Sequence, residues 1–591
     1  MNRLLKTNKK WPEILCLILL SLVSAVALTA DFDDLPGKFN IVTVLLIPVL
    51  LLFYTYSAGK FTNNIWVGLI GLLSAFFLLI GKSYSALDSS EMVFGSGRRT
   101  VFFFISLIGY GFLLYFIFLA AFNGLALLEK KGKIPAGIEK FLFGKLSVLK
   151  LAGIILIFWL PAIIMCYPGA VCGDSVYQIY QTLGRYSLDT IHPLTHTLFV
   201  GGFLKLGNLL GSYNRGLYLQ ILTQSLIMAV VMAYSVNRLY KKGANKVWSL
   251  IVLSLFCITP LYSNFATMTV KDSLFNTFIL LFFTLLTGFV YEDKYKMTIK
   301  SGIALVLSGL GVMLFRNNGP IVFVCTVLGL TVCIFLQKET KIKDKLINTA
   351  VLAILPFVLF VLINALFVNA LGAKKIDGKE VLSIPFQQTG RYVRDYGNEV
   401  TADEWDAIGK VLHTDGNIAA SYDPNISDPL KRLFVGEATT GDIAGYLVVW
   451  AKMFFKHPGV YLEAFFNQIY GWFDLGVRNS VRYQGSMDIF YPPRWGDYTG
   501  ILNKWFEFLG SNPVTGILEC IALYVWWMFL LIIKLVKKKE KKGLLIFMFP
   551  LFMSLLVCVA SPCCLLHPRY AFPIVFTIPY LSGYILKEEN K

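Results

Sequence analysis

Polar and ionisable residues of this chain gather at four short places set in apolar sequence. The first is YPGAVCGDSVYQIYQTLGRYSLDTIHPLTH, 167–196, which carries Asp174, Gln178, Asp189, His192 and His196. The second is SNFATMTVKDSLFN, 263–276, with Lys271 and Asp272. The third is FRNNGP, 315–320, with Arg316 and Asn317, and the fourth is LHPRYAFP, 566–573, with Arg569 and Tyr570. Two arginines and a lysine at membrane depth suit a lipid phosphate or diphosphate. A guanidinium meets phosphate oxygens through a fork of N–H groups, and an ammonium acts as a point charge. An aspartate beside them suits a general base. The candidate catalytic residues are therefore Asp174, Asp189, His192 and His196. Lys271, Asp272, Arg316, Asn317, Arg569 and Tyr570 form the candidate phosphate-binding set. Gln178, with Gln387, Gln388 and Arg391 of SIPFQQTGR, forms the candidate substrate or acceptor set.

Each place also has a plainer account. Asp174 caps a helix, or Ser175 and Gln178 form a capping box there. Lys271 and Asp272 neutralise each other where the chain re-enters the bilayer. Arg316 snorkels at a helix end before Gly319. The plain accounts explain the places singly and leave out their common location on one side.

Apolar runs of about 20 residues must position these groups, because such runs read as membrane-spanning helices. They lie near 13–30, 39–58, 65–81, 101–128, 150–167, 215–238, 247–263, 272–290, 301–316, 320–336, 346–370, 515–536, 543–561 and 571–586. The expected fold is an all-α polytopic membrane protein of about fourteen transmembrane helices, with both termini cytoplasmic. Four domains follow: a four-helix block over 1–149, a core over 150–370 with an outer loop at 168–214, a mainly helical extracytoplasmic segment over 371–514, and three helices over 515–591. The stretch 193–211 reads as interfacial or re-entrant, since counting it as a span inverts every later loop. Asp174, Gln178, Gln181 and Arg185 share one helical face, which predicts an amphipathic helix on the outer membrane surface. Thr401 and Glu404 predict a capping box. Helices at 441–456 and 458–473 break at His457-Pro458-Gly459, and their aromatic load predicts that they lie on the membrane. The tract 480–500 reads as a loop rich in aromatics and prolines.

Composition agrees. Hydrophobic residues make up 56% of 591 and charged residues only 15%, against roughly a quarter in soluble domains. The net charge of +18 collects in the segments predicted to be cytoplasmic, so it is a positive-inside signal and no evidence for nucleic acid. The ten cysteines include no CxxC pair. No P-loop, Rossmann or Ser-His-Asp signature occurs. Nothing demands a cofactor, although the Asp/His set leaves a divalent metal as an alternative.

A first core span, an outer loop with an aspartate, and an HPL turn into interfacial helices resemble the GT-C superfamily of membrane glycosyltransferases. Aminoarabinose transferases and protein O-mannosyltransferases share that layout. The closing LHPRYAFPIVFTIPY looks like their C-terminal motif. The combination YPGAVCGDSVYQ, HPLTH, VKDSLF, FRNNG and SIPFQQTGR looks closest to an uncharacterised bacterial family within that superfamily. The resemblance covers about 150–591. It implies a polyprenyl-phosphate-linked sugar donor, transfer at the outer face of the cell membrane, and Asp174 as the catalytic base. Two departures stand out: a single aspartate after Gly173 replaces the usual acidic pair, and His192-Pro193-Leu194 replaces a double-proline form.

The expected activity is an inverting transfer to a hydroxyl of a cell-envelope glycan, lipid or protein. Two rival classes remain: a transporter or flippase of lipid-linked saccharides, with polar residues spread through the bilayer depth, and a non-catalytic envelope assembly protein, which tolerates loss of Asp174.

Overall fold

A computed structural model describes residues 11–29, 41–129, 132–292, 294–337, 340–374, 379–478, 487–491, 499–538, 543–560, 564–565 and 567–586. Helices dominate because a chain in hydrocarbon must satisfy its amides internally. The longer ones, in chain order, are α1 (Trp11–Thr29), α2 (Ile41–Lys60), α3 (Ile65–Leu87), α4 (Gly97–Gly124), α5 (Ser147–Met165), α6 (Gly173–Thr182), α7 (Leu194–Leu209) and α8 (Tyr213–Lys241). Then follow α9 (Lys246–Ile258), α10 (Pro260–Thr267), α11 (Lys271–Tyr291), α12 (Ile299–Leu314), α13 (Gly319–Leu336) and α14 (Ile342–Leu371). The rest are α15 (Ser383–Tyr396), α16 (Ala402–Gly409), α17 (Thr440–Lys456), α18 (Pro458–Ile469), α19 (Thr499–Ser511), α20 (Ile521–Lys537), α21 (Leu545–Ala560) and α22 (Phe572–Leu586). Among the described residues the only sheet is a pair of two-residue strands, β1 (Ala170–Val171) and β2 (Met268–Thr269).

The protein is an all-α polytopic membrane protein. Among the described residues nine helices are long and apolar enough to cross a membrane, or ten if α9 and α10 form one span bent by 50°. A helix stands at each of the fourteen apolar runs, but α12, α20, α21 and α22 have only 16, 17, 16 and 15 described residues. At 1.5 Å per residue that reaches about 24 Å, short of the roughly 30 Å hydrocarbon core. The α9–α10 break falls at Thr259-Pro260, where Thr259 is extended and proline opens the next helix.

Helices α1–α4 form their own apolar core around Tyr54, Val67 and Leu119, and α20 joins it through Trp526. A second, larger core unites α5, α8–α13 and α20–α22. Helix α11 packs against α8, α12 and α22. Helix α7 crosses α8 closely, because Gly207 faces Gly216: a Cβ at Gly207 would lie 2.2 Å from the Gly216 nitrogen. Helices α15–α18 build a third core around Phe386, Tyr392, Ile408 and Tyr446.

The apolar side chains of α17 and α18 divide between a buried face and an exposed one that carries Val448, Phe455 and Leu462. Tyr446 and Tyr461 are buried in the third core, and Trp450 donates to Gln388 Oε1 at 3.1 Å. Helix α6 is not an amphipathic helix with one wet face. Its polar Gln178 and Gln181 are buried, while Val176, Tyr180 and Leu183 pack on Val200 and Leu204. Arg185 lies beyond its end and pairs with Asp488 at 3.3 Å. The capping box stands as read: Thr401 N–H donates to Glu404 Oε2 at 2.9 Å, and Glu404 N–H returns to Thr401 Oγ1. The break at His457-Pro458 also stands. Most of the 480–500 tract lies outside the described residues.

Candidate functional site

Two short strands set the site. β1 pairs in parallel with β2, Ala170 opposite Met268 and Val171 opposite Thr269. β1 runs into α6 and β2 into α11, so Asp174 and Lys271 come side by side. Side chains of α8 hold the second strand in place. Gln224 Nε2 donates to the carbonyls of Phe265, Ala266 and Met268 at 3.0, 3.2 and 2.8 Å. Ser225 donates to Ala266 O at 3.0 Å, and Thr269 donates to Gln220 Oε1 at 2.8 Å. Gln220 Nε2 in turn donates to Gln224 Oε1 at 3.1 Å. A short turn buried at this depth leaves carbonyls that each cost free energy unless bonded, and this rack bonds them. Gln220, Gln224 and Ser225 escape a reading based on loops. Their signal is two glutamines four apart inside an apolar helix.

The four polar places meet in one network. Lys271 Nζ donates to Asp174 Oδ2 at 2.7 Å and to His192 Nδ1 at 2.9 Å. Arg569 Nη2 lies 3.0 Å from the same Asp174 Oδ2, and its Nε lies 3.7 Å from Asp272 Oδ2. Arg316 Nη1 pairs with Asp272 Oδ1 at 2.5 Å. The Arg316 guanidinium also stands 4.3 Å over the Tyr570 ring and 5.2 Å over Phe275. Burial grades along this chain. The Asp174 side chain is 25% exposed, Lys271 and Arg569 are 13% and 14%, and Asp272 is 0%. Asp174, Lys271 and Arg569 therefore form the open end, with Asp272 and Arg316 sealed behind them.

Electrostatics follow from this order. Burial pushes the Asp174 carboxyl up, but Lys271, Arg569 and His192 outweigh it and hold the group well below the usual carboxylate range. Burial pulls Arg569 down, and Asp174 and Asp272 more than reverse this. Burial, then the Lys271 charge, pushes His192 down to about 4, so it is neutral at pH 7. Since an ammonium only donates, His192 Nδ1 accepts from Lys271. Three cations thus face two carboxylates, leaving one positive charge unmatched.

The remaining candidates hold the frame. Asp174 caps nothing: Cys172 is the N-cap of α6, without a side-chain bond. Asp189 accepts from Tyr177 Oη at 2.5 Å and from Ile191 N–H at 3.1 Å, so both oxygens are occupied. Asn317 Nδ2 donates to the carbonyls of Thr190 and Ile191 at 3.1 and 2.8 Å, which fixes the loop carrying His192. His196 is fully buried, and its Nδ1 donates to Gln178 Oε1 at 2.9 Å. Gln178 passes the bond to Thr197 at 2.9 Å. The other three acceptor candidates lie elsewhere. Gln387 donates to Asp423 O and Gln388 to Tyr461 O within the third core. Arg391 donates to the Asp88 carbonyl at 2.8 Å and pairs with Asp395 and Glu463. Among the described residues no group of three His, Cys, Asp or Glu is placed to hold a metal.

Fold and site together define a multi-pass helical membrane protein with a buried ion network at one end of its helices. By its sequence the chain belongs to DUF6020, a family of unknown function whose profile matches residues 184–591. No curated protein and no solved structure matches it.

Proposed function

We propose that the protein is a GT-C-type membrane glycosyltransferase that moves a sugar from a polyprenyl-phosphate donor to a hydroxyl of a cell-envelope acceptor. The observation that carries this reading is the Asp174 carboxylate held between Lys271 and Arg569 at the open end of the network. That is a carboxylate occupying a two-cation anion site. The donor phosphodiester takes its place between Lys271 and Arg569. Asp174 is thereby released, and its carboxylate accepts the acceptor's hydroxyl proton. The acceptor oxygen bonds to the anomeric carbon as the bond from that carbon to the phosphate oxygen breaks, with inversion. The lipid phosphate leaves with one further negative charge, which Lys271 and Arg569 stabilise. The single unmatched positive charge suits a phosphodiester, which carries one negative charge, better than a diphosphate.

Arg316 is a positioning residue in this reading, because Asp272 and Tyr570 occupy its guanidinium. His192 orients Lys271, and Asp189 and Asn317 orient the His192 loop. The proposal includes fourteen spans, both termini cytoplasmic, and the site facing outward across the cell membrane. In support, α8 carries Gln220 and Gln224 at its site end and Arg238 at the other, where Arg238 and Lys242 pair with Glu292. Transport is less well supported. The polar groups between those ends, Ser235 with Thr284 and Thr287 with Tyr580, are uncharged and bonded to each other at 2.9 and 2.8 Å.

Purified protein in liposomes, given polyprenyl-phosphate sugars and envelope extracts, tests the reading alongside mass analysis of envelope glycans with and without the gene. A sugar lost from the glycans and restored by the liposomes supports it. Unchanged glycans and no transfer from any such donor contradict it.

A further inference from the structure

A second polar cavity lies outside the ion network. It holds about 360 Å³, opens to the surface, and is lined by Lys82 and Asp88 from the end of α3, Asn425 from the outer segment, Asp474 and Arg478 after α18, and Leu565. Tyr84 and Tyr470, themselves buried, stack with ring centres 5.9 Å apart and belong to its lining.

Three features separate this cavity from a packing fault. First, its two cations make no ion pair among the described residues. Lys82 donates to Tyr110 Oη at 3.3 Å and Arg478 to Leu475 O at 2.6 Å. Second, α3 is shaped to admit a carboxyl. A Cβ at Gly81 would lie 2.2 Å from Asp474 Oδ2, and Asp474 Oδ1 accepts the Gly476 N–H at 2.7 Å. Third, two of its wall residues stand close in sequence to residues at or beside the ion network. Leu565 stands four residues before Arg569, and Asn425 three before Asp428, whose charge acts on His567. Burial pushes the Asp474 carboxyl up to about 7, so Lys82 and Arg478 keep part of their positive charge uncompensated. Hydroxyl-binding groups, Asp88, Asn425 and Ser85, share the walls with those cations.

We infer that this cavity binds a phosphate-bearing polyol, with Lys82 and Arg478 on the phosphate and Asp88 and Asn425 on the hydroxyls. Resting on the transferase reading, it serves as the subsite that holds the acceptor while the hydroxyl to be modified reaches Asp174. The same chemistry is offered by a soluble glycerol phosphate unit and by a glycerophospholipid headgroup.

The test uses the full chain in phosphatidylcholine nanodiscs, with sn-glycerol 3-phosphate as the soluble probe and phosphatidylglycerol in the nanodisc as the lipid probe. Hydrogen exchange of the wild type, read at residues 82–88 and 470–478, needs no variant. Calorimetry then compares Lys82→Gln, Arg478→Gln and Lys271→Gln. The inference predicts protection of both segments. It also predicts about tenfold weaker binding in each of the first two variants, the scale of one charge-assisted bond, and wild-type binding in Lys271→Gln. Protection by the soluble probe identifies a polyol phosphate acceptor, and protection only by phosphatidylglycerol identifies a lipid acceptor. Binding that follows Lys271 instead, or no protection by either probe, overturns the site. Neither readout requires sugar transfer, so failure here is distinguishable from failure of the transferase reading.

Discussion

At the scale of single residues, the site is three cations, Lys271, Arg316 and Arg569, packed against two carboxylates, Asp174 and Asp272. Asp272 carries the greatest structural burden, because it is fully buried and faces both Arg316 and Arg569. Removing one member of a buried pair costs about 3–5 kcal/mol, since the other charge stays in low dielectric. Asp272→Asn should therefore lower thermal stability in detergent sharply. Adding Arg316→Gln should recover part of the loss, and a double-mutant cycle measures that coupling. Additive effects would show that the two groups do not interact. The histidines give a pH test. His192 and His196 are pushed down by burial to about 4 and about 3, below the ordinary value of about 6.5. Between those limits the unfolded chain binds protons that the folded one refuses. Their contribution is complete above about 6.5 and is lost as pH falls through the folded values. Stability should fall as pH drops from 6.5 towards 4, less steeply in His192→Gln. An unchanged slope in that variant would mean that His192 is already protonated in the folded protein.

At the scale of elements, two residue pairs of β-structure align the aspartate of one loop with the lysine of another. Gln224 supplies three hydrogen bonds to that turn. Gln224→Leu should cost about 1–3 kcal/mol per carbonyl left unsatisfied, and should weaken donor binding although Gln224 contacts no reacting group. Calorimetric unfolding with donor titration checks both, and wild-type binding in a destabilised variant would separate the rack from the site. The elements were legible to different degrees. Helix positions follow from apolar runs because hydrocarbon enforces them, and Thr401 with Glu404 announces its helix by local chemistry alone. The burial of α6 was not legible, since its 3.6-residue period does not say whether its polar face meets water or buried polar partners such as Thr197 and His196. Nor was the partner of Arg316, because Asp272 is distant in sequence and an ion pair leaves no periodicity.

At the scale of the whole molecule, the N-terminal block and the outer segment are clasped at the end of α3. Arg391 and Asn467 donate to the Asp88 carbonyl at 2.8 and 3.0 Å, and Glu463 accepts from Ser90 N–H at 2.9 Å. Arg391, read from sequence as an acceptor ligand, is thus a fastening between domains. Arg391→Ala should speed tryptic cleavage at Arg98 and Arg99 several-fold, because the connection between α3 and α4 loses an anchor at Asp88. Unchanged cleavage would assign the clasp no mechanical role. The apolar runs of α1–α4 are legible in sequence one by one, whereas the way their core takes in α20 and the 470–477 segment depends on contacts between distant residues.

The central claim is that Asp174 both occupies the donor phosphate's site and serves as the base. Asp174→Asn keeps the shape and removes the charge. Polyprenyl-phosphate binding and single-turnover transfer, measured on the same purified variant, test it together. The account predicts tighter phosphate binding, because the competing carboxylate is gone, with transfer lowered at least about 100-fold. Unchanged or weaker binding with near wild-type turnover would contradict it.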